Sequence, residues 1–213
     1  MSLQKLYNAL CQRLFMVFNG LFSLGRNRIV GIGFIKRLNS VIITGKGNIL
    51  ECYGKIGRDV RIRVYGNNHH LLIEKDVLIK SGCIWFEDEN CEILIGKGTT
   101  IEEAHLGVAE FGTKIIIGED CMLSGGIRIT TTDAHSIIDL ASGERTNHAA
   151  DVILNNHIWL GQRVLVNKGV VIGSNVVVAS NSVVTKDIPV NSIASGIPAR
   201  VIRNNVSWER ERL

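Results

Sequence analysis

The sequence predicts an all-β fold, a β-helical solenoid in which short strands stack coil upon coil, and three observations predict it. From Leu154 onward the chain divides into "LNNHIW", "LGQRVL", "VNKGVV", "IGSNVV", "VASNSV" and "VTKDIP", each opening on Leu or Val or Ile. The fifth place of those units holds Ile158, Val164, Val170, Val176, Ser182 and Ile188, so a second inward position recurs with the first. Between them stand Gly, Asn and Asp, the residues of tight turns. This spacing matches neither the 3.6 period of a helix nor the sustained alternation of an isolated strand. A six-residue unit is too short to fold alone and must stack on its neighbours.

Taken in chain order, the first element is a helix over residues 1–25. Leu3, Leu6, Tyr7, Leu10, Leu14, Val17, Phe18 and Leu21 recur at three- and four-residue steps and make one apolar face. That face either packs on the coils or makes a weak contact with a membrane surface. Asn8, Gln12, Arg13 and Asn19 interrupt the run, so it does not read as a bilayer span, and it lacks the charged start and small-residue cleavage site of a secretory signal.

The solenoid is expected over residues 42–190, because the same phrase recurs upstream as "IGRDVR" at 56, "IEKDVL" at 73, "IKSGCI" at 79, "IGKGTT" at 95, "IGEDCM" at 117 and "LSGGIR" at 123. Gly57, Gly96, Gly118, Gly161 and Gly173 follow the first aliphatic residue, where a side chain would crowd the next coil. The repeat stops at about 131–151, through "DAHSIIDLASGERTNHAA", and a long interruption in a compact repeat points to function. The two prolines, Pro189 and Pro198, fall where the coils end, leaving 191–213 as an extended C-terminal tail.

Composition removes several functions. A net charge of +4 over 213 residues, without an aromatic-interleaved basic stripe, argues against nucleic-acid binding. Cys11, Cys52, Cys83, Cys91 and Cys121 are odd in number and show no C-x-x-C spacing, which fits buried thiols in a reducing cytoplasm rather than a disulfide framework.

The repeat [Ile/Leu/Val]-Gly-x-x-x-x is similar to that of the left-handed parallel β-helix, or hexapeptide-repeat, acyltransferases. Residues 153–203, ending in "SNSVVTKDIPVNSIASGIPARVIR", resemble the last coils and tail of the galactoside, maltose and surface-polysaccharide O-acetyltransferase group. The likeness covers roughly residues 42–203. It implies a left-handed β-helix, a homotrimer with active sites between subunits, acetyl-CoA as co-substrate and a sugar or saccharide acceptor.

It also implies residue roles. In such enzymes a histidine following a polar Thr/Ser/Gly segment takes the proton of the acceptor hydroxyl, and "TTTDAH" puts His135 at that place. An imidazole titrating near neutrality suits the task, since a protonated alcohol is a poor nucleophile. Asp133 and Asp139 flank it, and either could orient the ring or simply close a turn. By the same likeness Trp159 flanks the cleft, Ser180, Thr185 and Lys186 take pantetheine and nucleotide positions, and Arg200 and Arg203 approach phosphate, which a guanidinium fork suits. A backbone N–H between Trp159 and Gly161 is the expected oxyanion donor. His105, in "IEEAHLG", and Asp139 are candidate acceptor contacts, while His69 and His70 read as a turn. Gln162 and Asn181 stand where the family commonly has smaller residues. The acceptor-binding N-terminal signature of the galactoside and maltose enzymes is absent, which counts against a simple disaccharide and leaves a sugar or surface-polysaccharide precursor as the expected acceptor.

Two rivals remain open. A γ-class carbonic anhydrase shares the architecture but needs zinc-binding histidines, and His105, His135, His148 and His157 show no ligand spacing, so no metal is expected. A non-catalytic solenoid scaffold would not require "VVTKDIP" or "GIPARVIR".

Overall fold

A computed structural model describes residues 27–31 and 41–213, and these are strand, turn and loop with no helix. The helix expected over 1–25 lies outside the described residues. The strands stack in parallel as the walls of a three-faced solenoid, with one apolar core running down its axis.

The first face is β1 (Asn27–Val30), β3 (Asn48–Cys52), β5 (His70–Ile73), β7 (Glu92–Ile95), β9 (Lys114–Ile117), β12 (Val152–Leu154) and β15 (Val171–Ile172), hydrogen-bonded in that order. The other two faces form one sheet, because β4 (Lys55–Tyr65), β6 (Leu78–Phe86) and β8 (Thr100–Val108) are long enough to round the corner between them. Their first halves belong to the second face with β10 (Met122–Leu123), β13 (Ile158–Leu160), β16 (Val176–Val178) and β18 (Ser192–Gly196). Their second halves belong to the third face with β2 (Val41–Thr44), β11 (Ile127–Thr130), β14 (Leu165–Val166) and β17 (Val183–Val184). Within β8, Thr100 and Ile101 pair with β10 while Ala104 to Gly107 pair with β11. The last strand, β19 (Ala199–Asn204), folds back antiparallel on β18.

The six-residue clock is a burial pattern. Both inward positions of all six units from Leu154 to Ile188 are buried, including Ser182, the one polar member. Each buried Val, Leu or Ile contributes roughly 1.5–3 kcal/mol of apolar transfer.

Upstream the clock runs slower. Ile153 pairs with Val171, a step of 18 residues or three hexads, whereas Leu71 pairs with Ile93 and Ile93 with Ile115, steps of 22. One extra residue enters between the buried Ile79 and Ile84, and three more between Phe86 and Ile93. The expected unit "IKSGCI" is therefore out of register at its fifth place, where Cys83 is half-buried and Ile84 takes the core.

Cys52, Cys91 and Cys121 fill core positions, and burial pushes the thiols of Cys52 and Cys121 up to about 11, so neither is a nucleophile near neutral pH. His69 is buried at a corner, where its Nδ1 accepts the Cys91 N–H at 3.2 Å. Gly57 and Gly161 have the close approach expected of them: a Cβ would lie 1.8 Å from Lys80 O and 2.7 Å from Ser180 N respectively.

Candidate active site

Ile115 of β9 pairs with Val152 of β12, a step of 37 residues, which is 19 more than one 18-residue coil. The excess is the loop over 131–151, which leaves the third face after β11 and enters the first face at β12.

Side chains brace this loop at its base. Glu110 accepts a bidentate pair from Arg145 at 2.7 and 2.6 Å and a bond from the Thr132 hydroxyl at 2.6 Å. The Arg145 guanidinium holds the Glu110 carboxyl down at about 2. Lys168 donates to Asp133 and to Asn147 O, and the Lys168 bond first, then that of the Asn147 side chain, hold the Asp133 carboxyl below its ordinary value. Asn147 Nδ2 donates to Asp133 Oδ2 at 2.9 Å and to His135 O at 2.8 Å.

His135 is thus fixed through its backbone. Its side chain is exposed, and the imidazole has no hydrogen-bond partner among the described residues. Ala134 before it has φ of 66°, a left-handed conformation that a Cβ-bearing residue adopts at a cost of about 1 kcal/mol or more. Neither flanking carboxylate holds the ring. Asp133 belongs to the brace, and Asp139 Oδ1 accepts from Ala141 N at 2.9 Å and Ser142 N at 2.8 Å, closing its own turn at the loop tip. Asp139, the expected acceptor contact, closes this turn through its Oδ1 alone.

A separate groove of about 580 Å³ lies on the second face. Thr100, Glu102, Met122, Ser124, Trp159, Gly161, Gln162 and Ser180 are among its walls. Trp159 points outward from β13 and is 36% exposed, and at Gly161 the next coil approaches so closely that a Cβ would lie 2.7 Å from Ser180 N. Ser180 Oγ accepts the Gln162 N–H at 3.1 Å. Gly161 N–H donates to Val178 O at 2.8 Å, so of the backbone donors between Trp159 and Gly161 this one is committed to the ladder.

The structure therefore brings Trp159 and Ser180 to one groove and leaves the other expected residues elsewhere on the chain. Thr185 and Lys186 are exposed after β17, and Arg200 and Arg203 are exposed on β19 at the end of the coils. His105 stands on the third face, in a row with Cys83 and Arg128, and not on the groove. Burial first, then the charges of Arg128 and Arg61, hold it below the ordinary histidine value, which favours the neutral ring.

The brace of Glu110, Arg145, Asn147 and Lys168 was not among the expected residues, since four polar side chains at unrelated spacings leave no periodic signal. Gln162, noted only as a departure, is a groove wall. Among the described residues no group of three or more His, Cys, Asp or Glu is placed to hold a metal ion, and no helix is long and apolar enough to cross a membrane.

No protein-family model matches the chain. It is similar to the polysialic acid O-acetyltransferase of Neisseria meningitidis, 40% identical over 193 residues that are 88% of this chain and 88% of that protein. Two solved structures share the fold. The crystal structure of the polysialic acid O-acetyltransferase OatWY superposes with a TM-score of 0.68 at 33% identity, over 88% of this chain and 91% of that one. The polySia specific acetyltransferase NeuO superposes with a TM-score of 0.67 at 30% identity, over 88% of this chain and 86% of that one.

Proposed function

From the premise that the chain belongs to the hexapeptide-repeat O-acetyltransferase family, we propose that it moves an acetyl group from acetyl-CoA to a hydroxyl of a sialic acid polymer or a related acidic saccharide, with His135 as the general base. The observation that carries the reading is the 40% identity to a polysialic acid O-acetyltransferase over 88% of both chains. The coils wind left-handed and three chains assemble, in keeping with that family.

The residues fit the donor. Its pantetheine arm is slender, with alternating methylene and amide groups, and the groove offers apolar Met122, a glycine floor at Gly161 and the Ser180 hydroxyl. Arg200, Arg203 and Lys186, exposed toward the end of the coils, supply cations for the phosphorylated end.

The loop and the groove belong to different parts of one chain, the loop at the corner of the third and first faces and the groove on the second face. In a ring of three chains, the loop of one subunit meets the groove of the next, and the site is complete only between subunits. The His135 imidazole takes the proton of the acceptor hydroxyl as its oxygen attacks the thioester carbonyl. Collapse of the tetrahedral adduct releases the thiolate, which recovers the proton from the imidazolium, so the base is regenerated each turnover. An exposed histidine without a protein partner is free to face that hydroxyl.

Calorimetry with coenzyme A, followed by an acceptor screen over neutral and acidic saccharides, tests the reading. Saturable binding and ester formation on an acidic saccharide are expected. Failure to bind coenzyme A, with an unchanged melting temperature, would leave a non-catalytic scaffold as the better description.

A further inference from the structure

The residues after β19 turn back along the solenoid and lie on the corner between the first and second faces. Five successive coils make that corner with a left-handed residue: Gly98, Asp120, His157, Asn175 and Asn191 all have φ between 51° and 72°. The tail binds this row one coil at a time. Val206 N donates to Asn191 O at 3.2 Å, Asn175 Nδ2 donates to Val206 O at 3.0 Å, and the Ser207 hydroxyl donates to Asn175 Oδ1 at 2.9 Å. Trp208 Nε1 donates to His157 O at 3.0 Å, while its ring stacks on the His157 imidazole with centroids 4.2 Å apart and planes within 11°. Arg210 then reaches Asp120 Oδ1 at 2.8 Å, Thr100 Oγ1 at 3.0 Å and Cys121 O at 3.0 Å.

This strap ends at the groove. Trp208 is nearly buried, and its ring meets that of Trp159 at 6.0 Å and 50°, the tilted arrangement in which one ring edge faces the other ring's π-cloud. Thr100, which Arg210 holds, and Trp159 are both groove walls. His157 is also held from its other side, with Nδ1 2.7 Å from Asp120 Oδ2 and Nε2 3.0 Å from Trp208 O. Both partners are acceptors, so the two bonds form together when both ring nitrogens carry protons. A tail serving only to end the coils would be satisfied by the hairpin of β18 and β19. This one continues over five coils and presses an indole against an exposed indole in the groove.

We infer that the C-terminal strap is a positioning element of the donor groove: Trp208, stacked on His157 and clamped by Arg210, holds the Trp159 ring in the orientation that receives the donor. The inference rests on the groove being the donor site, but its geometry is testable without the donor. It makes Trp208 a positioning residue, since it acts through Trp159.

Two measurements on the full chain test it. In the first, the indole N–H resonances of wild type, Trp208→Ala and Arg210→Ala are compared with no ligand present. A shifted or broadened Trp159 signal in both variants is expected, and an unchanged Trp159 signal overturns the inference whatever the enzyme does. In the second, KM for acetyl-CoA and Kd for coenzyme A rise about two- to tenfold in Trp208→Ala, the scale of losing one aromatic contact, while kcat at saturation stays within about twofold. Trp208→Phe restores most of the affinity and Trp208→Leu does not. Equal coenzyme A affinity in wild type and Trp208→Ala overturns the inference. Absence of binding in the wild type instead defeats the donor-groove reading itself, and the inference with it. If Trp208→Ala fails to fold, Arg210→Ala carries both measurements, because it releases the strap and leaves both indoles in place.

Discussion

His135 lies in the 131–151 loop and Glu110 in the turn between β8 and β9 that braces it, and the two have opposite roles there. Glu110 is spent entirely on structure, with its carboxylate shared between Arg145 and Thr132. His135 is held only through its carbonyl oxygen, and its ring is left to the solvent side. Replacing His135 with Ala is expected to lower kcat by roughly a hundredfold or more with little change in melting temperature, as loss of a general base does. Steady-state kinetics beside thermal denaturation checks this. Replacing Asn147 with Ala removes the bond that fixes the His135 carbonyl, so a smaller loss of kcat is expected with coenzyme A affinity unchanged. The brace also has a pH signature. Glu110 titrates at about 2 in the folded chain and near 4.3 when unfolded, a depressed value, so its contribution is complete above about 4.3 and is lost as pH falls through about 2. Carbon-detected titration of Glu110 is expected to find it ionised at pH 4, and a midpoint near 4.3 would show that Arg145 does not hold it.

At the scale of elements, the strands are held by what faces inward, and the groove by what the corners omit. Ile93 is completely buried in β7, so Ile93→Ala is expected to cost about 2–5 kcal/mol in denaturant unfolding, because the coils above and below prevent collapse into the void. Gly161→Ala places a Cβ 2.7 Å from Ser180 N, against backbone that cannot swing away. About 1–3 kcal/mol of destabilisation and a higher KM for the donor are expected together, read by melting and by kinetics. The sequence was most legible where a position faces the core, as in the twelve inward places between Leu154 and Ile188, because burial leaves a periodic trace. It was least legible where a side chain works across coils. Glu110 meets Arg145 35 residues on, and Arg210 meets Asp120 across 90 residues; neither distance has a local signal. Trp208 escaped notice for the same reason, since its stack on His157 spans 51 residues and falls outside the repeat.

On the scale of the whole molecule, a solenoid separates tasks along its length and around its perimeter. The N-terminal coils, with steps of 21 to 23 residues, and the 18-residue coils of the C-terminal half share one core, and in the 22-residue coil through Ile79 and Phe86 the extra residues fall at corners that border the third face. The loop that carries His135 emerges at one of those corners, while the groove of Trp159 and Ser180 lies on the second face; on the proposed function, these two parts meet only between chains. The expected assembly is a trimer, and light scattering of the purified chain should give about three times its 23.4 kDa. Mixing a His135→Ala chain with a groove-blocked chain such as Ser180→Trp, at an exposed groove wall, should then restore activity in mixed trimers that neither parent has.

Acetyl transfer itself can be followed directly. Purified chain, acetyl-CoA and an oligomeric sialic acid are incubated together, with thiol release followed over time and ester formation on the saccharide read by mass. Thiol release that depends on the acceptor is expected, with a gain of one acetyl group per thiol released and loss of both in His135→Ala. Wild-type turnover in His135→Ala, or no acceptor-dependent thiol release with any acidic or neutral saccharide, would contradict the proposed transfer.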